Sequence, residues 1–558
     1  MTITRKTVAG IAGLALSAVA LAACSNGPAD PPAAKDEGAT IGEAQSVGAM
    51  DDFGVGVTFT ATEPVDFSLM YRDHPNYPVK DDWSIFQHLA DDHNVTFTRT
   101  DIPMADYDQK KSLLIGSGEA TDIISSTYAG SETQFVSGGA LLPVSDYFDY
   151  MPNFMQKVED WGLEDDLDNR RQADGKIYHL PGLREAPDVQ YSVVIREDLW
   201  EKAGITEDPA TWDEYLDQLE KVKKANPEID YAMSDRWTDS TPLGSLLSVM
   251  GPNYGTAAGW GYSNTWYDED AEKYVFTGTT DEYKDVVAYA ANLVAAGVLD
   301  PEITQSDDQA VQKFVSGRSA AISGNTQALA EYRAKLADAG RGDVPIRLIS
   351  VPGGPAGSNM ASGRFTSGLL IGSQAADKPY FKALLQFIDW LYYSDEGLEF
   401  AQWGVEGETF TRAADGTRRL NDDIAWSSIN AGAPQLLNAD FGYSNGVFLL
   451  ANGSSRDLVL SMMTDEIAAW TEAQLDAKEQ LPTAPAPLLD EMELEQTSLL
   501  QTQLTDAVQS ATASFITGQR SIDDDWDAYV GEMQGLGADQ LVETFNTALE
   551  RGRESNED

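Results

Sequence analysis

The chain has 558 residues, 42% of them hydrophobic, and its 90 acidic and 38 basic residues give a formal charge of −52. A polyanion of this size is repelled by nucleic acid phosphates and anionic lipid headgroups, which excludes partners of both kinds. The single cysteine excludes an intramolecular disulfide, and four histidines without a cysteine pair argue against a zinc site.

The N-terminus combines a positive start with an apolar run. Arg5 and Lys6 precede the apolar stretch 8–23, which is shorter than the roughly 20 residues needed to span a bilayer, so 1–23 is predicted to be a secretory signal peptide. The sequence Leu-Ala-Ala-Cys at 21–24 resembles the lipobox of bacterial lipoproteins. We therefore expect Cys24 to carry a lipid anchor, palmitate included, and to begin the mature chain. An ordinary signal peptide with an incidental Cys24 is the alternative.

The segment after Cys24 differs in composition from the rest of the chain. Residues 24–54 are rich in Gly, Ala, Pro, Asp and Ser and show no apolar periodicity, which predicts a flexible linker behind the lipid anchor. The remaining residues are too many for one core and suffice for two or three lobes.

Strands and helices alternate along the folded part, which predicts parallel sheets covered by helices. At its start, strand 65–71, helix 83–92, strand 95–102, helix 107–115 and strand 122–127 form a β-α-β-α-β run whose strand ends should share an edge. Residues 237–267, in contrast to these segments, are rich in glycine and predict a loop. Further predicted strands are 189–196, 319–323, 346–351 and 365–372, and further predicted helices are 197–203, 211–226, 282–296, one from Pro379, and a helical tail over 489–553.

A series of short motifs then appears in a fixed order. They are Asp-Gly-Lys-Ile-Tyr-His-Leu-Pro at 174–181, Ile-Arg-Glu-Asp-Leu-Trp-Glu-Lys-Ala-Gly at 195–204, Pro-Ala-Thr-Trp-Asp-Glu-Tyr at 209–215, Ala-Ala-Gly-Val-Leu-Asp-Pro-Glu at 295–302, Phe-Val-Ser-Gly-Arg-Ser-Ala-Ala at 314–321, Gly-Val-Glu-Gly at 404–407, Phe-Ile-Thr-Gly at 515–518 and Trp-Asp-Ala-Tyr at 526–529. Behind a lipobox, these motifs together resemble the family 1 extracellular solute-binding proteins of ABC importers. Ala210, where that family more often has Thr or Pro, is a small departure.

The resemblance implies an α/β fold of the periplasmic-binding-protein type, with two lobes around a central ligand cleft and crossing hinge strands. It implies a first lobe of 55–187 and 362–425 and a second lobe of 188–361 and 426–558. It also implies a non-catalytic protein that captures an oligosaccharide and delivers it to ABC transporter permease subunits. We expect a monomer without cofactor or metal, held by its lipid on the extracellular face of a Gram-positive cell membrane.

A sugar site needs flat rings against the C–H face of the sugar, with carboxylates, amides or Arg for its hydroxyls. The stretch 237–267 holds six Trp and Tyr residues among glycines, where aromatic side chains have little core to fill. We therefore expect Trp237 and Trp260 to contact the ligand, with Trp266 and Tyr267 as weaker candidates. The competing interpretation is a hairpin packed on the second lobe.

Ligands of open α/β sheets bind outside the C-terminal ends of the strands. Trp403, beside the Gly-Val-Glu-Gly motif, is a further candidate for the cleft wall by resemblance. The alternative for Trp403 is packing between lobes, and for Asp73, Tyr128, Arg184 and Glu185 it is turn capping or a surface ion pair. The candidates at strand ends and on the crossover are Asp73, Tyr128, Arg184, Glu185 and Tyr191.

Two other functions compete with this interpretation. A peptide or another solute could occupy the same fold, although a peptide site would need fewer stacking rings. A secreted glycoside hydrolase needs two carboxylates at a set separation, and an acidic chain always offers such a pair. No Gly-x-Ser-x-Gly, His-Glu-x-x-His or phosphate-loop motif supports an enzyme.

Overall fold

The computed structural model of the protein describes residues 38–238, 241–361, 363–444 and 453–557, so the predicted signal peptide and Cys24 lie outside the described residues. The strands are β1 (Val65–Asp73), β2 (Val95–Pro103), β3 (Ile123–Thr127), β4 (Leu180–Leu183), β5 (Tyr191–Arg196), β6 (Tyr231–Ser234), β7 (Thr265–Asp268), β8 (Lys273–Phe276), β9 (Ser319–Asn325), β10 (Ile346–Leu348), β11 (Asn359–Met360), β12 (Phe365–Ile371), β13 (Phe410–Arg412), β14 (Arg418–Leu420), β15 (Ile424–Ala425), β16 (Gln435–Leu436) and β17 (Glu479–Gln480). The α-helices are α1 (Ser84–His93), α2 (Tyr107–Gly116), α3 (Thr133–Val136), α4 (Pro152–Asp160), α5 (Glu164–Asp168), α6 (Glu197–Lys202), α7 (Trp212–Ala225), α8 (Gly244–Tyr254), α9 (Asp281–Ala295), α10 (Asp307–Ser316), α11 (Thr326–Asp338), α12 (Phe381–Tyr393), α13 (Asp395–Trp403), α14 (Arg456–Ser461), α15 (Asp465–Ala477), α16 (Glu491–Ile516), α17 (Ile522–Gly535) and α18 (Ala538–Glu557).

Five strands form the first sheet, in the order β2-β1-β3-β12-β4. β1 runs parallel to β2 and β3, whereas β12 runs antiparallel to β3 and β4. The predicted β-α-β-α-β run is confirmed, and the C-terminal ends of β1, β3 and β4 share one edge. Every residue of β3 is buried, as expected for a strand covered on both faces.

The first core lies between this sheet and α12. Phe67 of β1 packs against Phe387 of α12, with ring centroids 5.4 Å apart. Burying side chains of this size stabilises the fold by about 1.5–3 kcal/mol each. The predicted stripe of α12 is confirmed, because all its members are fully buried: Phe381, Leu384, Leu385, Ile388 and Leu391.

The second sheet has the order β10-β5-β9-β6, with β5 antiparallel to β9 and β10 and β6 parallel to β9. Helix α7 covers it, and Tyr215, Leu219 and Val222 form its buried face as predicted. The N–H of Glu214 donates to Thr211 Oγ1 at 3.2 Å, which caps the helix. The carboxylate of Glu214 accepts from the N–H of Ala210, one residue before the expected position.

The predicted helical tail forms three helices, α16, α17 and α18, which complete the second core. Leu504, Val508 and Phe515 of α16 pack there together with Tyr529 of α17 and Leu541 of α18. The polypeptide thus returns at its C-terminal end to cover the lobe that its middle third builds.

The chain crosses between the two cores at 184–190, at 349–364 and again after Leu458, which confirms a two-lobe α/β fold of the expected type. One part of the expected division differs, because Leu437, Tyr443 and Leu458 belong to the first core although 426–558 was assigned to the second lobe. Tyr443 packs edge-to-face on Phe400, 5.5 Å away, and covers apolar surface that α13 leaves open. The linker expected over 24–54 is wrong for 38–54, because Ile41, Met50 and Phe53 pack against the first core and the N–H of Met50 donates to Gln386 of α12 at 2.9 Å. The first lobe therefore includes 38–54, and the remaining lobe boundaries stay predictions.

Residues 244–254 form helix α8, so the expectation of a continuous loop over 237–267 is wrong there. Gly251 and Pro252 suggested a loop, but Pro252 occupies the last turn of the helix, and Leu246, Leu247 and Met250 are buried. Gly251 is a packing residue, because a Cβ there would lie 2.8 Å from the carbonyl oxygen of Thr256.

Candidate functional site

One edge of the second sheet collects the start of β5 and the ends of β6 and β9. Tyr191, the first residue of β5, pairs with Asn325, the last residue of β9. Ser234 ends β6 beside Ile322 of β9, and the chain continues from there to Trp237. Because the crossover 184–190 leads directly into Tyr191, this edge lies beside the passage between the lobes.

Three rings meet at this edge, and we call Tyr191, Trp237 and Trp260 the aromatic trio. The ring centroids of Tyr191 lie 5.9 Å from Trp237 and 5.4 Å from Trp260, both edge-to-face, and the two indoles are 5.6 Å apart. Tyr191 and Trp260 are each 39% exposed. Large rings that touch one another and still face solvent mark a binding surface.

The position of Trp260 depends on a close approach to α8. Its indole N–H donates to the carbonyl oxygen of Trp237 at 3.1 Å. A Cβ on Gly244, the first residue of α8, would lie 2.5 Å from that indole nitrogen. Glycine at 244 therefore lets the ring lie against the start of the helix.

A cavity of about 230 Å³ is lined by residues of both lobes, none of them from the trio, and we call it the interlobe cavity. Gln190, Thr326 and Gln327 line it from the second lobe, with Gln190 directly preceding Tyr191. Gln402 and Trp426 face it from the other lobe. Amide and hydroxyl groups beside an indole suit the mixed polar and C–H surface of a sugar ring.

A second cavity, of about 850 Å³, is lined by Ser248, Ala258 and Gly261. It extends to Trp266 and to the crossing segments, where Ala361 and Pro482 line it. The lining residues Ser248 and Gly261 place this second cavity next to Trp260 in the chain, although Trp260 itself does not line it.

The predicted residues at the edge of the first sheet have different local roles. Arg184 lines the interlobe cavity and forms an ion pair with Asp188 at 3.0 Å. Glu185 accepts the main-chain N–H of Arg456 at 2.7 Å, and Asp73 accepts the N–H of Val79 at 2.8 Å. The contacts of Glu185 and Asp73 favour the turn-capping alternative for these two.

Tyr128 follows β3 and is 52% exposed at the shared edge. Two buried titratable residues, His179 and Glu132, lie close to this end of β3. His179 Nε2 is 3.4 Å from the carbonyl oxygen of Thr127, and burial lowers the pKa of this imidazole to about 4. Burial raises the pKa of Glu132, which accepts a hydrogen bond from Gln172 at 3.1 Å. Since His179 is uncharged at neutral pH, it adds no positive charge to this edge.

Trp403 is fully buried in the first core, where its ring packs 5.5 Å from Phe410 and its indole N–H donates to Ser461 at 3.2 Å. This packing favours the structural alternative for Trp403, while its neighbour Gln402 lines the interlobe cavity. Tyr267 lies in the β7–β8 hairpin and packs 5.5 Å from Tyr274, as the competing interpretation held.

The structure therefore brings together Tyr191, Trp237 and Trp260, whereas Arg184 lines the interlobe cavity. Sequence reasoning missed the amides that line the cavity: Gln190, Gln327 and Gln402. Of these three, only Gln190 could have been predicted from the sequence, because it directly precedes the candidate Tyr191.

The described helices include none long and apolar enough to cross a membrane. Within the same ranges, His, Cys, Asp and Glu side chains form no group of three that could hold a metal ion. The trio offers stacking surfaces, and the interlobe cavity offers amide and hydroxyl groups beside the Arg184–Asp188 ion pair, which together suit a polar ring.

A family model for bacterial extracellular solute-binding proteins matches residues 84–416. Over 268 residues the chain is 26% identical to the fructooligosaccharide ABC transporter substrate-binding protein FusA of Streptococcus pneumoniae. That alignment covers 45% of this chain and 48% of FusA, so it spans about half the length of the relative.

Solved structures of low identity share the fold. An extracellular solute-binding protein from Bifidobacterium longum subsp. infantis superposes with a TM-score of 0.66 at 17% identity, covering 89% of this chain and 100% of that one. The S. pneumoniae FusA complex with kestose gives 0.61 at 18% identity, covering 88% and 99%. At such identities the likeness shows the fold alone. Because the family model covers more than half of the chain, the protein belongs to the bacterial extracellular solute-binding proteins.

Proposed function

We propose that the chain is the substrate-binding protein of an ABC transporter, which captures an oligosaccharide between its lobes and delivers it to the membrane permease. The aromatic trio carries this proposal, because solvent-facing rings beside amide groups match a sugar's C–H face and hydroxyls. The alignment with FusA, named for fructooligosaccharide transport, supports the same ligand class.

Binding draws on both lobes. The sugar stacks on Tyr191 and Trp260 of the second lobe, and Gln402 and Tyr128 of the first lobe reach its hydroxyls when the lobes approach. Because only the closed form makes both sets of contacts, the ligand shifts the population towards it. The permease then recognises the closed shape.

The interlobe cavity and the larger cavity, which includes Gly261 next to Trp260 in the chain, support a ligand of more than one ring. One sugar occupies the interlobe cavity, the next stacks on Trp260, and further units run towards Trp266. Arg184 supplies a charged hydrogen-bond donor at the first of these positions.

The ligand leaves unaltered in this proposal. Substrate capture needs affinity and closure, whereas glycoside hydrolysis needs an acid and a second carboxylate held on either side of one bond. The carboxylates next to the trio, those of Asp307 and Glu331, are held by Arg236. The protein acts as a monomer of two lobes, divided near 187/188 and 361/362.

The same proposal places the protein on the extracellular face of a Gram-positive cell membrane, held by lipid on Cys24. The sequence at 21–24 supports this anchor, and the Gly-, Ala-, Pro- and Asp-rich composition of 24–37 supports a linker between the anchor and the folded part. Acyl chains contribute about 0.8 kcal/mol for each buried CH₂, enough for two or more chains to hold the protein there.

A thermal-shift screen of the mature chain with Cys24→Ser, against kestose, maltotriose, lacto-N-tetraose and short peptides, tests the function. We expect a rise of the unfolding temperature with an oligosaccharide and none with peptides. Chromatography of the recovered sugar separates capture from hydrolysis. Stabilisation by peptides alone, or cleavage of a sugar, contradicts the proposal.

A further inference from the structure

Trp237 holds a main-chain conformation that tryptophan rarely adopts. Its φ is +60°, in the left-handed region where a side chain meets its own main chain. Such a conformation persists only where the surroundings enforce it, and it is found most often at functional sites. The contacts of Trp237 therefore show what holds the aromatic trio in place.

Asp307 enforces this conformation with one carboxylate. Its Oδ1 accepts the main-chain N–H of Trp237 at 3.0 Å, and its Oδ2 accepts Nε of Arg236 at 3.3 Å. Asp307 is the first residue of α10, where a capping box between Ser306 and Gln309 fixes the start of the helix. The turn at 236–237 is thereby tied to a helix that belongs to another part of the lobe.

Arg236 fixes the ring itself. Its guanidinium carbon lies 4.7 Å from the centroid of the Trp237 ring, within the range of a cation–π contact. The guanidinium also donates to Glu331 at 2.9 Å and to Tyr332 at 3.1 Å, and the residue is only 9% exposed. Burial lowers the pKa of Arg236, but Tyr332 and Glu331 outweigh it, so the net shift is upward.

We propose that Asp307 and Arg236 are positioning residues of the sugar site, which hold Trp237 in the orientation that completes the aromatic trio before the ligand arrives. This inference takes one point from the proposed function, namely that the ligand stacks on the trio. A ring that is already ordered loses little freedom on binding, so these two residues raise affinity without touching the sugar.

Asp307→Ala is the central variant, because it removes both hydrogen bonds at once. Asp307→Asn keeps an oxygen for the Trp237 N–H and loses the charge beside Arg236, so it serves if the alanine variant does not fold. Asp308→Ala is the matched control: Asp308 is exposed and lies in the same first turn of α10. All three are compared in the mature chain, alone and combined with Trp237→Ala.

The first readout needs no ligand. Coupled indoles 5.6 Å apart contribute to near-ultraviolet circular dichroism, so Asp307→Ala should change that spectrum and Asp308→Ala should not. In the Trp237→Ala background, Asp307→Ala should cause no further change. An unchanged spectrum, or the same change without Trp237, overturns the proposal whether or not any sugar binds.

The second readout is calorimetric titration with kestose and maltotriose. Asp307→Ala should raise the Kd about tenfold and Asp307→Asn about threefold, with the Asp307→Ala effect absent once Trp237 is removed. Additive effects of Asp307→Ala and Trp237→Ala on the Kd would instead show a merely structural role. If neither sugar binds the wild type, the proposed function loses its support, while the spectra still decide the positioning role.

Discussion

The indole N–H of Trp260 donates to the carbonyl oxygen of Trp237 at 3.1 Å, although the two residues are 23 positions apart. This bond links the turn after β6 to the short helical turn at 259–261, and it places two indoles 5.6 Å from each other. The ring surface of the site is therefore built from two loops and the start of β5.

Replacement of Trp260 tests the stacking surface directly. Trp260→Ala should weaken oligosaccharide binding by about 1–3 kcal/mol, since an exposed ring used as a platform is lost. Trp260→Phe should retain most of the affinity, because a flat ring remains. Titration calorimetry measures both, with Trp161→Ala on the first lobe as the control. Equal affinity of wild type and Trp260→Ala would remove this ring from the site.

A methyl group on Gly244 tests how Trp260 is held. Gly244→Ala places a Cβ 2.5 Å from the indole nitrogen, and overpacking of this kind costs about 1–3 kcal/mol. We expect a lower free energy of unfolding and a shifted tryptophan emission. Gly531→Ala, at an exposed and uncrowded position inside α17, should instead stabilise the fold by about 0.5–1 kcal/mol. The prediction fails if both substitutions act alike in urea unfolding.

The buried carboxyl of Asp235 should make the free energy of unfolding depend on pH. Burial raises the pKa of this carboxyl from 3.8 to about 7, although Ser323 donates a hydrogen bond to it. Between the two values the folded protein keeps the proton and the unfolded chain releases it. Stability therefore falls as pH rises through this window, by up to about 1.4 kcal/mol per pH unit.

The variant Asp235→Asn should remove that slope, because its amide does not titrate. Urea unfolding at several values between about pH 4 and about pH 7 measures the difference between wild type and variant. Asp308→Asn, the same substitution at an exposed position, controls for the lost formal charge. A constant difference between wild type and Asp235→Asn across the range would contradict the raised pKa.

The proposed lipid on Cys24 should determine whether the protein stays attached to the membrane. With Cys24→Ser, the protein should move from the membrane fraction to the medium or remain as an unprocessed precursor, because no thiol is available for the lipid. Fractionation followed by mass spectrometry of the N-terminal peptide measures this. An unmodified Cys24 in the wild-type protein would show that the alternative of an incidental cysteine is correct.

Much of the fold could be predicted from the sequence, because local patterns carry it. The alternation over 65–127 and the apolar stripe of α12 depend on periodicity that neighbouring residues show by themselves. Helix α8 was missed because Gly251 and Pro252 are loop-forming residues in most settings, and only the tertiary contact between Gly251 and Thr256 explains the glycine.

The site was predictable only in part, for a similar reason. Trp237 and Trp260 stood out as aromatic residues with little local core to fill, and Tyr191 as the start of a strand after the crossover. The structure brings the three together. Trp403 was a candidate through the family resemblance alone, but Phe410 and Ser461 enclose it. The amides Gln327 and Gln402 come from distant segments, and no local pattern distinguishes them from surface glutamines.

A crystal structure of the mature chain with the oligosaccharide selected by thermal shift tests the central claim most directly. The account predicts a sugar ring stacked on Tyr191 or Trp260, with Gln402 or Tyr128 of the opposite lobe within hydrogen-bonding distance of its hydroxyls. Intact sugar bound away from these rings, or density for a cleaved product, would contradict it.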